Sequence, residues 1–202
     1  MIYYWSQRNK IQDALKRLAA KVVMRAMVNS ESTLTGFDIA LIGAAHTGKS
    51  TLIKRYAALL PQSKHTIAQG EDAFAHTISN GEDQITIWDI VGQGRYQRVR
   101  EQLFQHVPVF ALVYDVSSPS TFFDLMFWRD TIMGFAHRAR LVVIGNKIDL
   151  PMIVPPEEAQ GWASGLDMPF LTTSALTGEG VLALFEFLMG EAGRERQRRI
   201  AR

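Results

Sequence analysis

Three observations predict an α/β domain built on a mostly parallel sheet. Extended apolar runs alternate with helical patterns along the chain. Two of the runs, residues 107–116 and 141–145, are apolar nearly throughout, as strands covered on both faces are. A glycine-rich loop joins the first extended run to the first helical one, the arrangement that binds phosphate in such sheets.

The elements follow in order. Residues 7–28 have helical periodicity, with Ile11, Leu15, Leu18 and Val22 on one stripe and basic side chains over much of the rest. Residues 30–36 read as a linker. A strand over 37–43 leads into the glycine-rich loop, and a helix follows over 49–60. Two extended segments near 72–79 and 82–89 flank Asn80-Gly81, a strong hairpin signal. The interior strand 107–116 is followed by a helix over 120–136, with Ser118 or Ser120 as its cap. The strand 141–145, a last strand over 168–173 and a last helix over 180–189 complete the pattern. The expectation is six strands, one antiparallel, flanked by helices. Three regions result: a basic amphipathic helix and linker (1–35), a nucleotide-binding domain (36–190) and an arginine-rich tail (191–202).

Composition narrows the chemistry. The chain has 202 residues and no cysteine, which removes disulfides, thiolate metal sites, a thiol nucleophile and cysteine lipidation. Residue 2 is Ile2, so N-myristoylation is excluded. No run approaches 18 apolar residues, and the first ten residues turn polar too early for a secretory signal, so a cytoplasmic protein is expected. The formal net charge of +2 is uneven. Residues 1–30 carry +5 and residues 191–202 carry +3, leaving the body at −6. An acidic body is no nucleic-acid groove. Basic ends suit anionic lipid or an acidic partner.

The strongest motif is Gly43-Ala44-Ala45-His46-Thr47-Gly48-Lys49-Ser50, which fits G-x-x-x-x-G-K-[ST] between a strand and a helix. A chance match in about 200 residues has odds on the order of 1%. Backbone N–H groups from Gly43 to Thr51 would surround phosphates, helped by the positive end of the helix. Lys49 would reach the outer phosphates, and the Ser50 hydroxyl would hold Mg²⁺. Asp89-Ile90-Val91-Gly92 ends the second hairpin strand. A bare D-x-x-G is weak, but this placement lets Asp89 hold a Mg²⁺ water and the Gly92 N–H meet a terminal phosphate. Asn146-Lys147-Ile148-Asp149 follows a buried strand. An Asp there accepts two hydrogen bonds from guanine's N1–H and exocyclic amine, which adenine cannot offer. At about 1.5–3 kcal/mol per bond to a charged group, the pair favours guanine at least a hundredfold.

In these motifs, taken in order, the sequence resembles a Ras-superfamily small GTPase, nearest to the Rab branch, from Phe37 to about Met189. The segment 87–96 (Ile-Trp-Asp-Ile-Val-Gly-Gln-Gly-Arg-Tyr), the segment Tyr114-Asp115-Val116-Ser117-Ser118 with Thr121-Phe122, and residues 145–150 carry the likeness. The resemblance implies GTP and GDP as ligands, Mg²⁺ as cofactor and slow hydrolysis of GTP. It also implies exchange proteins, activating proteins and effectors as partners, in membrane trafficking or signalling. It places Ser174, Ala175 and Leu176 in the last guanine-contacting loop. Thr66, 23 residues before Asp89, becomes a Mg²⁺ ligand of the GTP state, and Gln93 orients the attacking water.

The departures carry expectations of their own. Ala45 stands where a glycine leaves room for Gln93 and for an inserted arginine, so its methyl slows hydrolysis. His46 reads as an exposed loop residue. The stretch from Tyr56 to Thr66 lacks the aromatic that normally covers the guanine edge, and Tyr56 lies too early, in the helix. Leu176 replaces a lysine, and Gly94 replaces an acidic residue. The register counted from Thr66 places Glu71 opposite Trp88. With no cysteine to prenylate, residues 1–28 are the alternative anchor on an anionic membrane surface, with packing against protein as the competing reading. The alternative to a working switch is a nucleotide-locked interaction module. An ATP-using enzyme is disfavoured by Asn146, Lys147 and Asp149.

Overall fold

The computed structural model describes residues 36–69, 73–80, 83–90 and 103–200. A seven-stranded sheet has the order β2-β3-β4-β1-β5-β6-β7. Its strands are β1 (Gly36–Ile42), β2 (Lys64–Gln69), β3 (Ala73–Asn80), β4 (Asp83–Ile90), β5 (Val109–Asp115), β6 (Arg140–Asn146) and β7 (Phe170–Thr173). The helices are α1 (Lys49–Leu59), α2 (Pro119–Phe135), α3 (Pro156–Ser164) and α4 (Val181–Ile200). Strands β4, β1, β5, β6 and β7 run parallel, and β3 and β2 add antiparallel to one side.

The central strands are apolar on both faces because both faces are covered. Every residue of β5 is buried. Ile39, Leu41, Val113 and Ile144 pack with Leu52, Ile53 and Phe185 of α1 and α4. On the other face Ala40, Phe110, Leu112 and Val143 pack with Leu125, Ile132 and Ala159 of α2 and α3. The two expected strands pair antiparallel as β3 and β4, with Asn80 opposite Asp83. Ser118 stands at the start of α2 but makes no side-chain cap; the Thr121 hydroxyl instead donates to the Ser118 carbonyl at 2.7 Å.

The expected six strands are corrected to seven. The added strand, β2, is an edge strand in which Lys64, Thr66, Ile67 and Gln69 are all exposed, so neither burial nor polarity alternates along it and there is no strand pattern to detect. It pairs along β3, and its His65 ring meets the His76 ring, Nε2 to Nδ1 at 3.0 Å. The nine-residue α3 was likewise unforeseen, since only Ala159 and Ala163 mark its buried face. α4 does not stop at Met189 but runs to Ile200, with Ala192 inside the core and Glu191 paired to Arg140 at 3.2 Å. The N-terminal helical pattern, Glu71, Gly92, Gln93 and Gly94 lie outside the described residues. Trp88 is buried, donates its indole N–H to Asp38 at 3.2 Å and stands opposite Ala75, which corrects the expected pairing with Glu71.

Candidate functional site

The phosphate-loop, Asn146–Asp149 and Thr173–Leu176 segments all follow the C-terminal ends of parallel strands, where open α/β sheets place their ligand crevice. The loop from β1 into α1 is shaped by two glycines. Gly43 has φ +152, and a Cβ there would lie 2.1 Å from the Val113 carbonyl oxygen. Gly48 has φ +94, and a Cβ there would lie 2.3 Å from the Asn146 side-chain nitrogen. Both positions therefore demand glycine for conformation and for space. Between them Ala44 is half-buried, Ala45 and His46 are exposed, and Thr47 is buried.

Lys49 is buried, and its ammonium donates to the Gly43 carbonyl at 3.1 Å and the Ala44 carbonyl at 2.7 Å. Burial pushes its pKa below the usual lysine value, against the pull of the Asp89 carboxylate. The charge is held on that side by neutral dipoles, the two carbonyls and the Thr47 hydroxyl at 3.5 Å, a weak substitute for a phosphate. No acidic residue occupies the first turn of α1, and Gly48 supplies no side-chain cap. The free N–H groups of that turn are thus left for an external anion. The Ser50 hydroxyl donates to the Asp89 carboxylate. These two converging oxygen ligands, one of them anionic, fit a hard divalent cation such as Mg²⁺.

Asn146 joins this half to the other. It is wholly buried; its amide N–H donates to the Thr47 carbonyl at 2.8 Å. Its oxygen accepts from the Thr173 hydroxyl and from the Ala175 N–H, both at 3.1 Å. Lys147 has φ +68 and binds Asp115 at 2.6 Å. Burial raises the Asp115 pKa, but hydrogen bonds from Lys147 and Ser117 outweigh it and hold the carboxyl below its usual value. The Ser174 hydroxyl donates to one oxygen of Asp149, a residue that is otherwise exposed. Leu176 is 69% exposed. Tyr56 is buried against Phe185, ring centroids 4.2 Å apart, and so covers no base.

Thr66 is not brought to Ser50 and Asp89. It pairs with Thr77, three rows from the row in which Gln69, Phe74 and Asp89 stand side by side. At about 3.3 Å per residue and 4.8 Å per strand, three rows and two strands put its Cα roughly 14 Å from that of Asp89. The count of 23 residues measures chain length, whereas the chain spends part of that length doubling back in β2. Gly92 and Gln93 fall outside the described residues.

Sequence reasoning missed Arg55 altogether, and for Thr173 and Asp115, which lie in the segments that carry the likeness, it missed the contacts they make. Thr173 and Asp115 position Asn146 and Lys147. Arg55, on α1, donates from Nε to the Ala175 carbonyl at 3.0 Å and from Nη2 to the Leu176 carbonyl. A contact 120 residues apart leaves no local pattern to read.

The sequence matches the Ras family over residues 38–194. It is 33% identical over 160 residues to the Ras-related protein RABA5c of Arabidopsis thaliana, covering 77% of this chain and 75% of that protein. It is 31% identical over 166 residues to the Ras-related protein Rab-18 of Caenorhabditis briggsae, covering 80% and 82%. It is 32% identical over 154 residues to the human Ras-related protein Rab-30, covering 74% and 76%.

Proposed function

This chain belongs to the Ras family, in its Rab branch, and is a GTP-binding switch that hydrolyses GTP; from that premise we propose which residues work the cycle and what limits its rate. Proteins of this family bind guanine nucleotide with Mg²⁺ and answer to exchange proteins, activating proteins and effectors. The observation that carries the assignment is the Asn146 amide, bonded at once to the phosphate loop and to the loop after β7. A ligand spanning both loops needs that link, and a guanine nucleotide has the right two ends.

In this reading Gly43, Ala44, Ala45, His46, Thr47, Gly48 and Thr51 present backbone N–H groups to the phosphates. Lys49 exchanges the Gly43 and Ala44 carbonyls for phosphate oxygens, and gains by it because its ammonium is already desolvated. Ser50 and Asp89 hold Mg²⁺, Asp89 through water. The ion supplies positive charge against the phosphate oxygens when bound. Asn146, Lys147, Asp149, Ser174, Ala175 and Leu176 form the base subsite, where the free Asp149 oxygen and its neighbour accept from guanine. Gly92 meets the terminal phosphate, and Gln93 orients the attacking water. Thr66 joins the metal only if β2 leaves its pairing with β3, so its recruitment is a rearrangement of an edge strand. This supports an order change between the two nucleotide states.

Ala45 stands where the family resemblance expects a glycine that leaves room for the glutamine and an inserted arginine, and this substitution supports slow turnover. Unassisted rates in this class lie around 10⁻⁴ s⁻¹. Single-turnover conversion of GTP by purified protein is expected near that rate, to drop at least tenfold in Gln93→Leu and to rise in Ala45→Gly. Conversion no faster than in Gln93→Leu, with GTP retained, would replace the working switch by the nucleotide-locked module.

The role we propose is in membrane trafficking or signalling. Among the described residues no helix is long and apolar enough to cross a membrane. The basic residues 1–28 supply charge for an anionic surface. Co-sedimentation with phosphatidylserine vesicles should fall when residues 1–30 are deleted; unchanged binding would remove the membrane from the reading.

A further inference from the structure

We propose that Arg55 is a positioning residue for the base subsite, clamping the guanine-contacting loop to the helix that carries the phosphate ligands. The inference rests on the guanine reading given above. Arg55 lies on α1, five residues after Ser50 and six after Lys49, and is half-buried. Its guanidinium donates to two consecutive carbonyls, Ala175 and Leu176. Its Cδ also approaches the turn at Gly178, 3.7 Å from where a Cβ would stand. The planar fork of arginine suits two adjacent acceptors, whereas a lysine ammonium serves as a single point donor.

The loop after β7 is also held by its own turn, where the Gly178 N–H donates to the Ser174 carbonyl at 2.9 Å and the Thr177 N–H to the Ser174 hydroxyl at 3.0 Å, and from the side opposite Arg55. The Ala175 N–H donates to Asn146, and the Ser174 hydroxyl donates to Asp149. Those bonds fix the Ala175 N–H and the Ser174 hydroxyl, and Arg55 alone of the described side chains fixes the next two carbonyls, Ala175 and Leu176. The Leu176 side chain is exposed, so that residue is tied through its backbone oxygen. Because Ser174 in turn orients Asp149, a shift of this loop turns the carboxylate that reads guanine. Arg55 thereby makes base recognition depend on α1, the element whose first turn binds phosphate.

The test compares wild type, Arg55→Lys and Arg55→Ala by chase of fluorescent GDP and fluorescent IDP, with ADP as the control ligand. Inosine lacks the exocyclic amine, so the GDP/IDP preference reports the orientation of Asp149. We expect Arg55→Ala to release GDP about tenfold faster and to lose several-fold of the GDP/IDP preference, with Arg55→Lys recovering part of both. Circular dichroism and the thermal midpoint establish that the variants are folded, and Arg55→Lys keeps helix propensity and charge should Arg55→Ala fail to fold. Equal acceleration of GDP and IDP, or release within twofold of wild type in both variants, would overturn the positioning role. Retention of ADP as firmly as GDP by the wild type would instead overturn the guanine reading beneath it.

Discussion

Asn146→Ala is expected to lower the unfolding free energy by about 3–4 kcal/mol and to weaken GDP binding at least a hundredfold. The side chain is wholly buried and makes three hydrogen bonds, to the Thr47 carbonyl, the Thr173 hydroxyl and the Ala175 N–H. Each is worth roughly 1 kcal/mol net, and groups left unpaired in a dry interior cost about 1–3 kcal/mol more. Thr47 and Thr173 are both wholly buried, so water does not readily replace the lost partner. In a chain of this size that loss lowers the melting midpoint by about 10 °C at one fixed GDP concentration. The binding loss follows from geometry. With Asn146 gone, the direct link between the loop before α1 and the loop after β7 is lost, and among the described residues Arg55 ties that second loop only to α1. The check is urea denaturation beside a GDP titration. A stability loss under 1 kcal/mol with GDP affinity intact would show that the loops are held together by other contacts.

The parts of this site that were legible in the sequence are those whose chemistry is local. The phosphate loop is eight residues in a row, and its two glycines are demanded by backbone angles the loop itself imposes. Asn146 to Asp149 is likewise contiguous and follows an apolar strand. The sheet core was legible because burial on both faces leaves an unbroken apolar run, as in β5. What was not legible depends on register. β2 is exposed on both faces, without alternation, and is specified by its pairing with β3 and by the His65–His76 contact. Thr66 was placed by counting along the chain, and the fold turns that count back on itself. Trp88 was matched to the wrong neighbour for the same reason, since its partner Ala75 follows from the hairpin register and not from Thr66. Arg55 reads as one more basic residue on a helix until the fold brings residues 175 and 176 beneath it.

Gly48→Ala is expected to be as damaging as Asn146→Ala, and the two losses should not add. Part of the cost is backbone strain. A residue with a Cβ at φ +94 lies in a region that costs about 1–2 kcal/mol. The rest is collision, because the new Cβ would stand 2.3 Å from the Asn146 nitrogen. A free amide would swing aside cheaply. This one is pinned by bonds from Thr173 and Ala175 to its oxygen, so moving it breaks the link to Thr47 or disturbs the loop after β7. Together these terms come to about 3–5 kcal/mol, and GDP affinity falls with them by at least a hundredfold. With Asn146→Ala already in place the collision partner is absent, and adding Gly48→Ala should cost only the strain of about 1–2 kcal/mol. The double-mutant cycle is therefore expected to show a coupling of about 2 kcal/mol between two residues 98 positions apart. Additive losses would mean that Gly48 is required for its backbone angle alone. The phosphate and base halves of the site would then be joined through something other than this close approach.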